Sequence, residues 1–321
     1  MSDGTKIQWS DASWTPIRAR RKDGQPNMAG GGWICQRVSA GCQNCYAATI
    51  NKRLGTGFDY DAKGIAASDI YLDEKALTQP LHWRRPRKVF VCSMTDLFGE
   101  WVPDEMIDRV FAVMALSKSH TFQLLTKRPE RMREYVSTAR ERIAAVIRDG
   151  KMTTNRLYAF DMAGSVEGLP GTVHGPWWPL PNVWLGVSVE DQERADERIP
   201  ELLATPAAVR FVSAEPLLGP VSLPPYIPFV KGQGYRAARG VLAADRPAAK
   251  LDWVIAGGES GPGARPMDLE WARAVVRQCQ AAGTAVFYKQ GGASNRCAHH
   301  RKGGHFECFP DDLKVREFPN V

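Results

Sequence analysis

From residue 88 onward, short apolar runs alternate with longer stretches that carry apolar residues every three or four positions. The short runs cover 88–92, 121–125, 183–187, 209–212, 253–256 and 284–288, and their β-branched and aromatic content predicts buried strands. Between them the spacing predicts helices. One is opened by Pro103 and carries Met106, Ile107, Val110, Phe111 and Met114; others cover about 130–147, 192–203 and 269–282. A weaker strand candidate lies at 14–17, and a short helix is expected over 46–54. Residues 56–82 read as irregular, and the basic stretch 18–24 as a solvated loop.

Strand–helix alternation of this kind means parallel strands joined by crossovers. The fold class expected is α/β: a partial or full (β/α) barrel of about six parallel strands plus the weaker one. A doubly wound sheet would carry a glycine-rich phosphate loop after an early strand, and none is present. Polar residues collect just past the strand ends, namely Thr95, Asp96, Lys127, Glu190, Glu215, Glu259 and Lys289. In a barrel these form one rim, where active sites lie. Two segments, about 149–181 and 220–250, interrupt the alternation and read as insertions. The expected division is a barrel over 1–292 and a Cys/His-rich tail over 293–321.

Three thiols, Cys35, Cys42 and Cys45, fall within eleven residues of a polar segment that leads into the 46–54 helix. Thiolates are soft ligands suited to iron–sulfur clusters, zinc or copper(I). A structural zinc wants a fourth protein ligand, and the nearest histidine is His82. A second constellation lies in the tail, where Cys297, His299, His305 and Cys308 offer a possible zinc site.

Seven unevenly spaced cysteines do not read as a disulfide framework, and the amino terminus has no apolar signal region. A cytoplasmic location is therefore expected. No apolar run would span a bilayer, so no membrane partner is expected. The net charge of +7 favours an anionic partner, with nucleic acid the commonest. Lys127, Arg128, Arg84 and Arg85 are the candidate phosphate contacts, and Trp177 and Trp178 could stack on a base.

Several segments carry a resemblance. They are Gln8-Trp9-Ser10-Asp11, Gly41-Cys42-Gln43-Asn44-Cys45-Tyr46, Leu125-Thr126-Lys127-Arg128-Pro129, Val212-Ser213-Ala214-Glu215-Pro216, Gly257-Gly258-Glu259-Ser260-Gly261 and Phe287-Tyr288-Lys289-Gln290. Together with the barrel pattern, they resemble a phage three-Cys-motif family within or near the radical S-adenosylmethionine superfamily. The resemblance implies a [4Fe–4S] cluster on Cys35, Cys42 and Cys45, with S-adenosylmethionine on its open iron. It also implies a 5′-deoxyadenosyl radical that abstracts hydrogen from substrate, and an electron donor such as flavodoxin or ferredoxin. Tyr46, Thr95, Asp96, Ser188, Glu190 and Glu215 are then the cosubstrate candidates, with Asp96 meeting the methionine amine. The first gap holds six residues, where the superfamily pattern is C-x-x-x-C-x-x-C. Repair or modification of nucleic acid, DNA ahead of RNA, is the expected activity. The alternatives are a radical enzyme acting on a peptide or small molecule, and a zinc-stabilised nucleic-acid-binding protein without catalysis.

Overall fold

The computed structural model describes residues 5, 7–23, 31–56, 58–148, 178–224, 226–227, 249–294 and 303–320. In chain order the strands are β1 (Ala12–Trp14), β2 (Ile17–Arg21), β3 (Ser68–Leu72), β4 (Lys88–Val91), β5 (Thr121–Thr126), β6 (Val183–Ser188), β7 (Val209–Ala214), β8 (Trp253–Gly257) and β9 (Ala285–Gln290). The helices are α1 (Tyr46–Arg53), α2 (Ala62–Ala66), α3 (Glu74–Leu77), α4 (Asp104–Leu116), α5 (Pro129–Arg148), α6 (Gln192–Ala204) and α7 (Leu269–Ala282).

Seven strands form one parallel sheet in the order β1-β4-β5-β6-β7-β8-β9. The order follows the chain and never reverses, so there is no switch point of the doubly wound kind. The sheet curls into a half-barrel, which is the partial form of the expected architecture. The pleat explains its two faces. Outward residues such as Val89, Val91, Leu124, Leu185, Val187, Val212, Val254 and Val286 join the core under α4 to α7. Inward residues Phe90, Trp184, Phe211, Trp253, Ile255 and Phe287 form a second cluster with Trp9. The Trp9 ring lies 4.7 Å from Phe90 and 6.2 Å from Trp253. The hollow of the half-barrel therefore has an aromatic floor, interrupted by Gln123 of β5, whose Nε2 donates to Trp9 O at 3.3 Å, and the charged residues gather at the strand ends.

Residues 56–82 depart from the irregular reading. They supply α2, β3 and α3, and β3 pairs antiparallel with β2 across Arg21↔Ser68 to Ile17↔Leu72. The basic stretch is a strand because it alternates. Ile17 and Ala19 are buried, while Arg20 reaches Asp69 and Arg18 lies over the Trp33 ring. The described part of the tail packs on the sheet edge. Tyr288 N donates to Val315 O at 2.9 Å and Glu317 N to Val286 O at 2.9 Å, while Phe309 and Leu313 are buried. It covers the otherwise open edge of β9. Most of the two expected insertions lies outside the described residues. No helix among the described residues is long and apolar enough to cross a membrane.

Candidate metal centre on the carboxyl-end rim

The thiol segment leaves β2, touches it again through the Ala19–Gly32 bridge, and crosses the carboxyl ends of the parallel strands. Cys35 comes first. Cys42 closes a single 3-10 turn, Ala40–Cys42, and Cys45 is the N-cap of α1. All three thiols are free and partly buried. Burial pushes the Cys35 thiol up to about 12, and the Asp96 carboxylate pushes the same way while Arg128 opposes it. Cys45 and Cys42 also act on Cys35, so both lie within electrostatic reach of it. Among the described residues, no three His, Cys, Asp or Glu side chains converge on one point as ligands of a single ion would.

Around the thiols the strand ends form a connected polar rim. Lys127 Nζ donates to Ser188 Oγ at 2.8 Å and lies 3.5 Å from Glu190. Ser188 Oγ in turn donates to the Glu215 carbonyl at 3.3 Å. The Glu215 carboxylate takes Lys289 Nζ at 2.5 Å and Gln290 Nε2 at 3.2 Å. Glu190 is fully buried and pairs with Arg198 at 3.1 Å, and Ser39 on the thiol segment donates to it. Just past β8, Glu259 takes Asn44 Nδ2 at 2.8 Å and the Arg265 side chain at 2.6 and 2.9 Å. Burial works against the Glu259 charge, but the bonds from Arg265 and Asn44 outweigh it and hold the carboxyl below its usual range.

The structure places the expected site residues unevenly. Tyr46 is 49% exposed, with its hydroxyl donating to Ser93 O at 2.7 Å. Lys127, Ser188, Glu190 and Glu215 are on the rim as expected. Thr95 is occupied: its hydroxyl donates to Ile34 O at 2.6 Å, next to Cys35. Asp96 is buried and accepts from Thr126 Oγ1, Lys127 N, Phe98 N and Arg128, so its carboxylate serves the fold, not an open amine site.

The structure also separates the nucleic-acid candidates from one another. Arg128 is buried between Asp96 and Glu100 and lies over the Trp101 ring, so it offers no phosphate contact. Arg84 and Arg85 are exposed, but they precede β4 and so sit at the amino end of the sheet, opposite the thiols. Trp178 packs on Phe111, with ring centroids 6.1 Å apart, and Trp177 lies outside the described residues. Of the tail quartet, His305 Nδ1 and Cys308 Sγ are 3.7 Å apart, while Cys297 and His299 lie outside the described residues.

Sequence reasoning missed Asn44, Arg265 and Arg198 as rim residues. Asn44 stands between Cys42 and Cys45, but nothing in its neighbours signals a partner more than two hundred residues away.

A parallel half-barrel with free thiols and paired charges gathered at its carboxyl ends defines an α/β protein with a candidate site on its rim. The chain belongs to the DUF5131 family, described as proteins of unknown function, whose sequence model matches residues 4–308. No curated protein and no solved structure matches the chain.

Proposed function

We propose that the protein is a radical S-adenosylmethionine enzyme, with Cys35, Cys42 and Cys45 holding a [4Fe–4S] cluster over the half-barrel and nucleic acid as the substrate. The observation that carries this reading is three free thiols on one segment laid across the carboxyl ends of a parallel sheet. The donor chemistry fits the group: thiolates are the usual ligands of an iron–sulfur cluster, and Cys42 and Cys45 both act on Cys35. Such a group supplies one-electron cleavage of a carbon–sulfur bond and hydrogen abstraction from substrate.

The chain's own residues supply the setting. The aromatic floor around Trp9 and Trp253 keeps water out of the hollow from below. Asp96 and Arg128 neutralise each other beside Cys35. Lys127, Ser188, Glu215 and Lys289 present donors and acceptors to a bound polar molecule, and the half-exposed Tyr46 ring offers a flat apolar face beside Cys45. The reading of nucleic acid rests on different cations from those expected. Arg37 on the thiol segment and Lys52 and Arg53 on α1 are exposed and make no ion pair among the described residues. They can meet phosphates on the thiol side.

The test is anaerobic reconstitution with iron and sulfide. A brown protein is expected, with about four irons and four sulfides per chain, that releases 5′-deoxyadenosine from S-adenosylmethionine. Cys42→Ala should lose colour and iron, and Cys308→Ala should keep both. A colourless protein carrying zinc without sulfide would overturn the reading in favour of a zinc-stabilised binding module.

A further inference from the structure

None of residues 36–44 is buried or joins an apolar cluster, so the turn that carries Cys42 has no apolar anchor of its own. Its internal order is one 3-10 turn, with Cys42 N donating to Ser39 O at 3.0 Å and Gln43 N to Ala40 O at 3.1 Å. What ties it down comes from far along the chain. Arg265 Nη2 donates to Ala40 O at 3.0 Å and Nη1 to Gln43 Oε1 at 3.2 Å. Asn44 Nδ2 donates to Glu259 Oε2 and to Gly263 O, both at 2.8 Å. At the other end, Ser39 donates to Glu190. Both receiving carboxylates are buried and held from behind, Glu259 by Arg265 and Glu190 by Arg198 and Lys127. Gly41 passes so close to Glu190 that a Cβ there would collide with the carboxylate.

We infer that Glu259, Arg265 and Asn44, together with Glu190 and Ser39, form a two-point latch that presses the 39–44 turn onto the ends of β6 and β8 and sets where Cys42 stands. These are positioning residues. Charge-assisted bonds to a carboxylate fixed in a buried site are short and directional, which suits a turn that must hold a thiol in register without core packing. The side chain of Arg265 reaches the turn at two places while bound to Glu259. Movement of the β8 end would therefore be transmitted to the thiol. The latch belongs to the protein alone and does not depend on what the thiols bind.

The test uses the full chain, purified reduced and without added metal. It follows iodoacetamide labelling of each cysteine by mass spectrometry under native conditions. Arg265→Met removes the two guanidinium bonds to the turn, to Ala40 O and Gln43 Oε1. It should raise the labelling rate of Cys42 by about fivefold or more, as a locally opened segment requires, while Cys279 in the core stays slow. Ser39→Ala releases the other point and should raise Cys42 labelling as well. Arg273→Met, which removes pairs to Glu270 and Asp312 elsewhere, should leave Cys42 at the wild-type rate. The inference is overturned if Cys42 labels at the wild-type rate in Arg265→Met, or if Cys42 and Cys279 rise together, because that is global unfolding. An iron-free result in the reconstitution experiment would not alter either outcome, since the labelling reads thiols that carry no metal.

Discussion

At the scale of single residues, His120 shows how burial writes a pH dependence. Its ring stands edge-on to Trp83 and Phe122 just before β5. Nε2 lies 3.1 Å from the Pro80 carbonyl, which can only accept, so Nε2 carries the proton. Nδ1 is buried with no hydrogen-bond partner among the described residues. Charging the ring would strand a charged N–H there. Burial therefore lowers the pKa, against the Pro80 bond and with some help from Arg87. A depressed folded-state value means the stabilising contribution is complete above imidazole's ordinary pKa of about 6.5. It is lost as pH falls through the lowered value. Urea unfolding between neutral and mildly acid pH should show stability falling in the wild type and a flatter profile in His120→Gln; parallel profiles would contradict this. The same scale marks how far residue-level reading reached into the site. Asp96 was legible as a polar strand-end residue. Its four donors lie on Phe98 and on Thr126, Lys127 and Arg128 of the next strand end, and no local pattern announces a pairing thirty residues away.

At the scale of elements, the parallel strands β4 to β9 were legible because each is a compact apolar run flanked by helical spacing, whereas the weaker candidate over 14–17 straddles the end of β1 and the start of β2. β2 and β3 were not legible. In β2 the alternation is carried by Ile17 and Ala19 against arginines, and charge density masked the period. In β3, Ser68-Asp69-Ile70-Tyr71-Leu72 has no polar–apolar alternation to read. The inner face adds a constraint that runs of hydrophobicity do not reveal. Gly186 on β6 faces the Phe211 ring, and a Cβ there would stand 2.6 Å from three of its carbons. Phe211 is fully buried among Trp9 and Trp253 and has no room to retreat. Gly186→Ala should therefore cost about 1–3 kcal/mol through overpacking, read as a Tm several degrees lower with unchanged far-UV dichroism. An unchanged Tm would mean that the aromatic floor is loose.

At the scale of the whole molecule, a formal charge of +7 does not say where the cations gather. The seven-stranded sheet settles this, since each of its strands points its carboxyl end the same way. Arg84 and Arg85 lead into β4 and stand at one end of the sheet, while Cys35, Cys42, Cys45, Lys127 and Lys289 stand at the other. A nucleic acid serving a reaction at the thiols must lie on the thiol side, where Arg37, Lys52 and Arg53 are exposed. Lys52 and Arg53 occupy the last turn of α1, where the helix dipole favours them; a purely structural role would end there. The two roles differ in their salt dependence. Removing a cation that meets a phosphate should lower the slope of log K against log salt by about 0.9 for duplex DNA. Replacing Arg37, Lys52 and Arg53 together by Ala should thus weaken DNA binding and flatten the slope by up to about 3. Replacing Arg84 and Arg85 should leave both unchanged. The opposite result would move the nucleic acid to the amino end of the sheet. A substrate held there would lie across the aromatic floor from the thiols, and the reaction at the rim would need a different, smaller anion.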